Sequence, residues 1–221
     1  IAASIQKVTE EIMIKLAKSI REEYGVRNLC LAGGVALNCV ANGKLLKEKL
    51  FDDIWIQPAS GDAGSALGAA LIVWYEKFKQ SRVVESSDSM KGTYLGCSFS
   101  NKEIINYLDK INAPFETFID NDLFEIISKM LDEGKVVGWF NGAMEFGPRA
   151  LGGRSIIGDP RNQKMQSLMN LKIKYRESFR PFAPSILEED LQNQFELNCK
   201  SPYMLLVANV KKQLCKKMTA E

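Results

Sequence analysis

Twice near the start of the chain, a short apolar run gives way to a glycine-rich turn and then to a helix-forming segment. That repeated order constrains the fold more than any bulk property does. Over residues 4–24 the apolar side chains Ile5, Val8, Ile12, Leu16 and Ile20 recur at helical spacing, and Gly25 is a natural stop. Residues 28–32 read as a short buried strand, which the turn GGVALN (33–38) ends before a second helix runs to about residue 50. A second strand at 53–57 ends at Pro58, followed by SGDAGS (60–65) and a long helix over about 66–78. Helix, strand, glycine turn, helix, strand, glycine turn, helix predicts an α/β lobe with parallel strands.

The pattern then changes. Residues 81–92 (SRVVESSDSMKG) are polar, serine-rich and aperiodic, and read as a linker. Beyond them helices are predicted at 101–111, 122–133 and 163–171, and strands at 115–119, 136–140, 182–187 and 203–210. The expected organisation is therefore an α/β domain over 1–80, a linker over 81–92 and an α+β domain over 93–221.

The 221 residues are 46% hydrophobic and 25% charged, enough apolar matter for a real core. Lys and Arg total 29 against 27 Asp and Glu, a net charge of +2 that argues for neither a nucleic-acid nor a membrane partner. No apolar run approaches the roughly 20 residues of a transmembrane helix. The five cysteines are scattered without metal-like pairing and read as reduced thiols of a cytoplasmic protein. Histidine is absent, which excludes His-based triads and His metal clusters within the chain. A metal here would use carboxylates alone or borrow ligands from elsewhere. The opening lacks Met and is already helical in pattern, so a preceding segment is expected.

Glycines at the end of a strand let backbone approach a ligand, and the helix N-terminus that follows offers free N–H groups suited to phosphate. In open parallel sheets ligands bind at the carboxyl ends of the strands, so both turns can face one site. Asp62 fits such a turn either as a ligand of a divalent cation or as a cap of the following helix.

The most distinctive stretch is residues 134–186, where Arg149, Arg154, Lys172, Lys174, Arg176 and Arg180 are interleaved with Gly, Pro and aromatics. Gly147-Pro148-Arg149 sets a turn, and Gly152-Gly153 allows a reversal before Arg154-Ser155. The planar fork of arginine matches phosphate bidentately, and Ser155 can add a hydrogen bond, so the cluster suits a small, multiply charged anion. Two alternatives remain open: Arg149 or Arg154 in ion pairs with Glu145, Asp159 or Glu177, and base stacking by Tyr175, Phe179 and Phe182.

GGVALNCVANG (33–43), SGDAGSALGAA (60–70), GPRALGGRSI with GDPR, and KYRESFRPFAPS resemble, in that order, motifs of the ATP-dependent O-carbamoyltransferases of nodulation-factor and antibiotic biosynthesis. The resemblance spans about residues 25–210. It implies part of an actin-like (ribonuclease H-like) lobe followed by a YrdC-like domain. It further implies formation of carbamoyladenylate from carbamoyl phosphate and ATP, with magnesium accompanying ATP, and transfer of the carbamoyl group to a hydroxyl-bearing small molecule. On this resemblance Gly33, Gly34, Asn38, Gly61 and Gly64 lie at the nucleotide. Asp62 ligates a divalent metal, iron or similar, with histidines outside this chain. Arg149, Arg154, Lys174 and Arg176 act on the reacting anion, and Ser155, Ser178 and Arg180 help to bind it. Family chains continue beyond SPYMLLVANV into a closing segment, whereas this one ends KKQLCKKMTAE. The expectation is a fragment without its N-terminal lobe, unable to complete the reaction unaided, with a homodimer left open. Other classes left open are a kinase-like phosphotransferase fragment and a non-catalytic nucleotide- or RNA-binding module.

Overall fold

The computed structural model describes residues 1–216. They form two compact units that are not contiguous in sequence. The first holds Ile1–Thr93, Phe146–Arg149 and the chain from Ile186 onward; the second holds Tyr94–Glu145 and Ala150–Ser185. The expected boundary at residues 81–92 falls near the end of the first stretch. The return of 146–149 and of 186 onward to the first unit has no local signal in the sequence. Residues 217–221, part of the closing segment on which the fragment expectation rests, lie outside the described residues.

In the first unit, helix α1 (Ala2–Tyr24) ends at Gly25, which adopts φ 61° and returns its N–H to the Arg21 carbonyl at 3.0 Å. Strands β1 (Asn28–Leu31) and β2 (Asp53–Ile56) pair in parallel, with Leu29 opposite Ile54 and Leu31 opposite Ile56. Between them lie a single 3-10 turn (Gly34–Leu37) and helix α2 (Cys39–Lys47). Helix α3 (Asp62–Ile72) follows β2 and loosens into a π turn over Val73–Lys77. The expected order of elements is thus present.

Packing adds what the order does not show. Ala17, Leu29, Leu45 and Phe51 form one buried cluster, and Ala36, Ile56 and Leu205 a second. Residues 203–210, expected as a strand of the second domain, make only an isolated bridge, Val210 to Phe195, and lie across α2 in the first unit. Leu205 fills the apolar space beside Ala36. The buried Asn42 amide of α2 donates to the carbonyls of Ala36 (2.8 Å) and Leu205 (3.0 Å). A Cβ on Gly43 would stand 2.4 Å from the Val207 carbonyl, so only glycine permits this approach.

In the second unit, helix α4 (Asn101–Lys110) starts from a reciprocal cap: Ser100 Oγ accepts the Glu103 N–H and Glu103 accepts the Ser100 N–H. Helix α5 (Asp120–Asp132) leads to strand β3 (Val137–Phe140), which pairs antiparallel with β4 (Arg154–Ile157). Helix α6 (Met165–Leu168) passes into a π turn (Met169–Ile173), and a further short helix, α7 (Leu191–Gln194), belongs to the first unit. The strands expected at 115–119 and 182–187 are irregular. Conversely, Arg154–Ile157, expected as the exit of a reversal, is a strand. The described residues are thus a mixed α/β structure with two small sheets.

Candidate functional site

The two glycine turns lie side by side at the carboxyl ends of β1 and β2. The Gly33 N–H donates to the Ser60 carbonyl at 2.9 Å, tying one turn to the other. Gly33 adopts φ 95°, outside the range comfortable for other residues. Gly64 is required for another reason, since its Cβ would meet the Ala59 carbonyl at 2.1 Å. Gly61 takes the cap position of α3, and Gly34 opens the 3-10 turn.

Asn38 has structural partners. It caps α2 by accepting the Ala41 N–H at 3.1 Å and exchanges two hydrogen bonds with the Gln6 amide, at 2.9 and 3.2 Å. Gln6 also donates to Glu10, a buried carboxylate that pairs with Lys44. The Lys44 ammonium, then the Gln6 amide, hold Glu10 below the usual carboxylate range.

Asp62 is the exposed first residue of α3. Its carboxylate accepts no cap bond, because Gly61 fills the cap position, and it makes no ion pair among the described residues. Nor do the described residues gather any group of three Cys, Asp or Glu able to hold a metal ion. Asp62 thus has no co-ligands for a metal ion among the described residues.

Arg149 stands with these turns rather than with the other basic residues. The segment Phe146–Arg149 belongs to the first unit. Gly147 (φ 130°) packs so closely that its Cβ would lie 3.2 Å from that of Ala59. Arg149 Nη2 donates to the Leu37 carbonyl at 3.2 Å, inside GGVALN. Its Nε is buried without a partner, as are the Ser60 hydroxyl, at the other glycine turn, and that of Thr93. The Arg149 Nε–H and the Ser60 hydroxyl, both unsatisfied, thus accompany the paired turns. Unpaired buried donors of this kind are rare in folded proteins.

Arg154, in the second unit, is engaged by its own surroundings. Its guanidinium sits 3.4 Å over the Phe140 ring. It donates to the carbonyls of Asn141 (3.2 Å), Gly142 (3.2 Å), Gly153 (2.8 Å) and Cys97 (3.5 Å). Ser155 Oγ accepts the Gly152 N–H at 3.0 Å. The residue missed in the sequence reading is Glu145. This buried carboxylate accepts the N–H groups of Leu151 (2.6 Å), Gly153 (2.7 Å) and Arg154 (3.3 Å) through one oxygen. Burial pushes its carboxyl up, but the converging N–H donors outweigh that and hold it below the usual carboxylate range. In the sequence Glu145 reads only as an ion-pair partner of arginine; a Glu preceding Phe-Gly-Pro-Arg gives no local hint that backbone amides six to nine residues on close around it.

The remaining cations surround a loop. Arg176 lies 4.8 Å and Lys174 5.7 Å from the Phe182 ring centre. Neither makes an ion pair among the described residues. Arg180 pairs with Glu177 at 2.9 Å, and Asp159 with Arg161. The expected alternatives in which Arg149 or Arg154 pairs with Glu145, Asp159 or Glu177 therefore do not occur. Ser178 lends its carbonyl to the Asn170 amide. The predicted residues thus divide: Gly33, Gly34, Asn38, Gly61, Asp62, Gly64 and Arg149 lie in the first unit, and Arg154, Ser155, Lys174, Arg176, Ser178 and Arg180 in the second.

Both halves of this arrangement fall within models of one protein family. Residues 1–71 match the carbamoyltransferase N-terminus and residues 128–221 the carbamoyltransferase C-terminus. The chain belongs to the carbamoyltransferase family. It is 59% identical over 223 residues to an uncharacterized protein of Synechocystis, covering all of this chain and 36% of that one. It is 40% identical to nodulation protein NolO of Bradyrhizobium diazoefficiens, over 96% of this chain and 38% of that protein. To nodulation protein NolNO of Sinorhizobium fredii it is 39% identical, over 96% and 31% respectively. The chain thus spans about a third of the length of these relatives. No helix among the described residues is long and apolar enough to cross a membrane.

Proposed function

We propose that this chain forms part of an enzyme that transfers a carbamoyl group to the hydroxyl of a small-molecule acceptor through a carbamoyladenylate. The reading rests on one observation. The family matches cover the two stretches that carry the glycine turns and the basic segment, and in the second of them Arg149, Lys174 and Arg176 make no ion pair among the described residues. An actin-like identity for the first region and a YrdC-like identity for the second are part of this proposal.

The chemistry has two stages. Carbamoyl phosphate reacts with water to give carbamate and inorganic phosphate. A carbamate oxygen then attacks the α-phosphorus of ATP, and pyrophosphate leaves with the electrons of the broken P–O bond. In the second stage the acceptor hydroxyl attacks the carbamoyl carbon, AMP departs with its oxygen, and the hydroxyl proton passes to a base. Charge grows on phosphate oxygens in the first stage, where fixed cations stabilise it without reorganising. Lys174 and Arg176 are suited to that task. Arg149, the Ser60 hydroxyl and the turns at Gly33 and Gly61 are suited to holding the phosphates of a nucleotide. Arg154 would then shape its loop rather than touch substrate.

The test is exchange of radiolabelled pyrophosphate into ATP by the intact gene product. Exchange that requires carbamoyl phosphate is expected. ATP hydrolysis or phosphotransfer with no such requirement would replace this reading with a kinase-like one.

A further inference from the structure

Asn170 is fully buried in the second unit, and all of its side-chain hydrogen bonds go to the loop that follows. Its Oδ1 accepts the Nε–H of Arg176 at 2.6 Å. Its Nδ2 donates to the carbonyls of Ser178 (3.1 Å) and Arg180 (2.8 Å). The backbone repeats the link, since the Arg176 N–H donates to the Asn170 carbonyl at 3.0 Å. One helical turn earlier, Gln166 donates to the carbonyls of Phe179 and Arg180. Two amides four residues apart thus clasp residues 176–180.

The consequence falls on Arg176. Its Nε is tethered and its plane is backed by the Phe182 ring, while Nη1 and Nη2 find no acceptor among the described residues. The neighbouring carboxylate, Glu177, pairs with Arg180 and makes no ion pair with Arg176, although, after its own backbone N–H and Arg180, the Arg176 charge also helps to hold its carboxyl below the usual range. A guanidinium held at Nε and free along its outer edge presents two parallel donors, the geometry that matches two oxygens of a phosphate. Lys174 adds a second cation beside the same ring. The neutrality of the holding group matters. An aspartate at 170 could accept the Arg176 Nε–H but would lose both donations to the loop carbonyls and offset the arginine's charge, whereas an amide holds the loop, orients the arginine and leaves its charge available.

We infer that Asn170 is a positioning residue that holds the outer edge of Arg176 toward a phosphate-bearing ligand. This rests on the carbamoyl-transfer reading for the ligand, carbamoyl phosphate or ATP, and the two are separated by measuring each. In the intact gene product, calorimetry with carbamoyl phosphate and, separately, with ATP is performed on the wild type, N170A, R176A and the double variant. One ligand is expected to bind about tenfold more weakly to N170A and to R176A, as for loss of one charge-assisted hydrogen bond. The double variant should be no worse than R176A alone, because Asn170 acts through the arginine. Additive losses, or unchanged affinity for both ligands in N170A or R176A, overturn the inference. So does a lowered melting midpoint in N170A with affinity intact, which marks a purely structural amide. Where N170A fails to fold, R176K replaces it: lysine keeps the charge but has neither the Nε–H that Asn170 holds nor the two-donor edge. Wild-type affinity for both ligands in R176K overturns the inference. A wild type that shows this Asn170-dependent binding but no carbamoyl-phosphate-dependent exchange sinks the carbamoyl reading and leaves Asn170 as a phosphate-site positioning residue.

Discussion

Glu145 shows how a chain can fill an anion-binding turn with its own side chain. Three N–H groups converging from a glycine-rich turn make an anion-binding concavity, and here the anion is the chain's own carboxylate. Because those donors favour the ionised form, the folded-state pKa lies below the unfolded value of about 4.3. A depressed carboxyl contributes stability that is fully present above the unfolded pKa and is lost as pH falls through the folded one. E145Q keeps an oxygen for the three donors but forgoes the charge. Wild type should therefore be more stable than E145Q at pH 7, and the difference should shrink once pH drops below about 4. Urea unfolding midpoints across a pH series measure this. A difference that stays constant down to pH 3 would show that the carboxylate charge contributes nothing.

Among the elements, α2 carries the sharpest ambiguity between structure and site. Asn38 opens it as a cap, and its amide nitrogen is occupied by Gln6 of α1. N38D keeps the oxygen that caps the helix and loses the donor to Gln6, so it should cost no more than about 1 kcal/mol in stability. If the amide also touches a nucleotide, N38D will weaken ATP binding well beyond that loss, and calorimetry beside a melting curve separates the two roles. The elements of the first unit were legible in the sequence because their signals are local: apolar spacing for α1, Gly25 as its stop, and a glycine turn after each strand. The burial of α1 was not legible. Its period specifies a helix but not the side that meets protein, and Glu10 and Ala17 are buried while Ile5, Val8, Ile12 and Leu16 are exposed. Likewise, the apolar pattern at 115–119, 182–187 and 203–210 marks extended backbone without supplying a ladder partner. Strand β4 was hidden because Arg154-Ser155 follows Gly152-Gly153, a pair that reads as a turn, and only pairing with Phe140 makes it a strand.

At the scale of the molecule, the first unit is stitched together from distant parts of the chain. A division at the serine-rich linker would separate residues 1–92 from three things their packing uses. Leu205 completes the cluster with Ala36 and Ile56, and its carbonyl, with that of Ala36, accepts the two N–H bonds of the buried Asn42 amide nitrogen. Gly147 covers Ala59. Tyr203 bonds both Asp88 and the Gly92 N–H, with its hydroxyl pushed up to about 12 by burial and by the Asp88 carboxylate. Removing a buried leucine alone costs about 2–5 kcal/mol, and leaving one buried N–H of Asn42 without its acceptor adds about 1–3 kcal/mol. Those losses rival the entire stability of a small domain, commonly 5–15 kcal/mol. Residues 1–92 expressed alone should therefore keep helical circular dichroism from α1 but lack a cooperative thermal transition and dispersed amide resonances. The described chain 1–216 should show both. A cooperative, well-dispersed 1–92 would mean that the 146–149 and 186–210 segments rest on a core already complete without them.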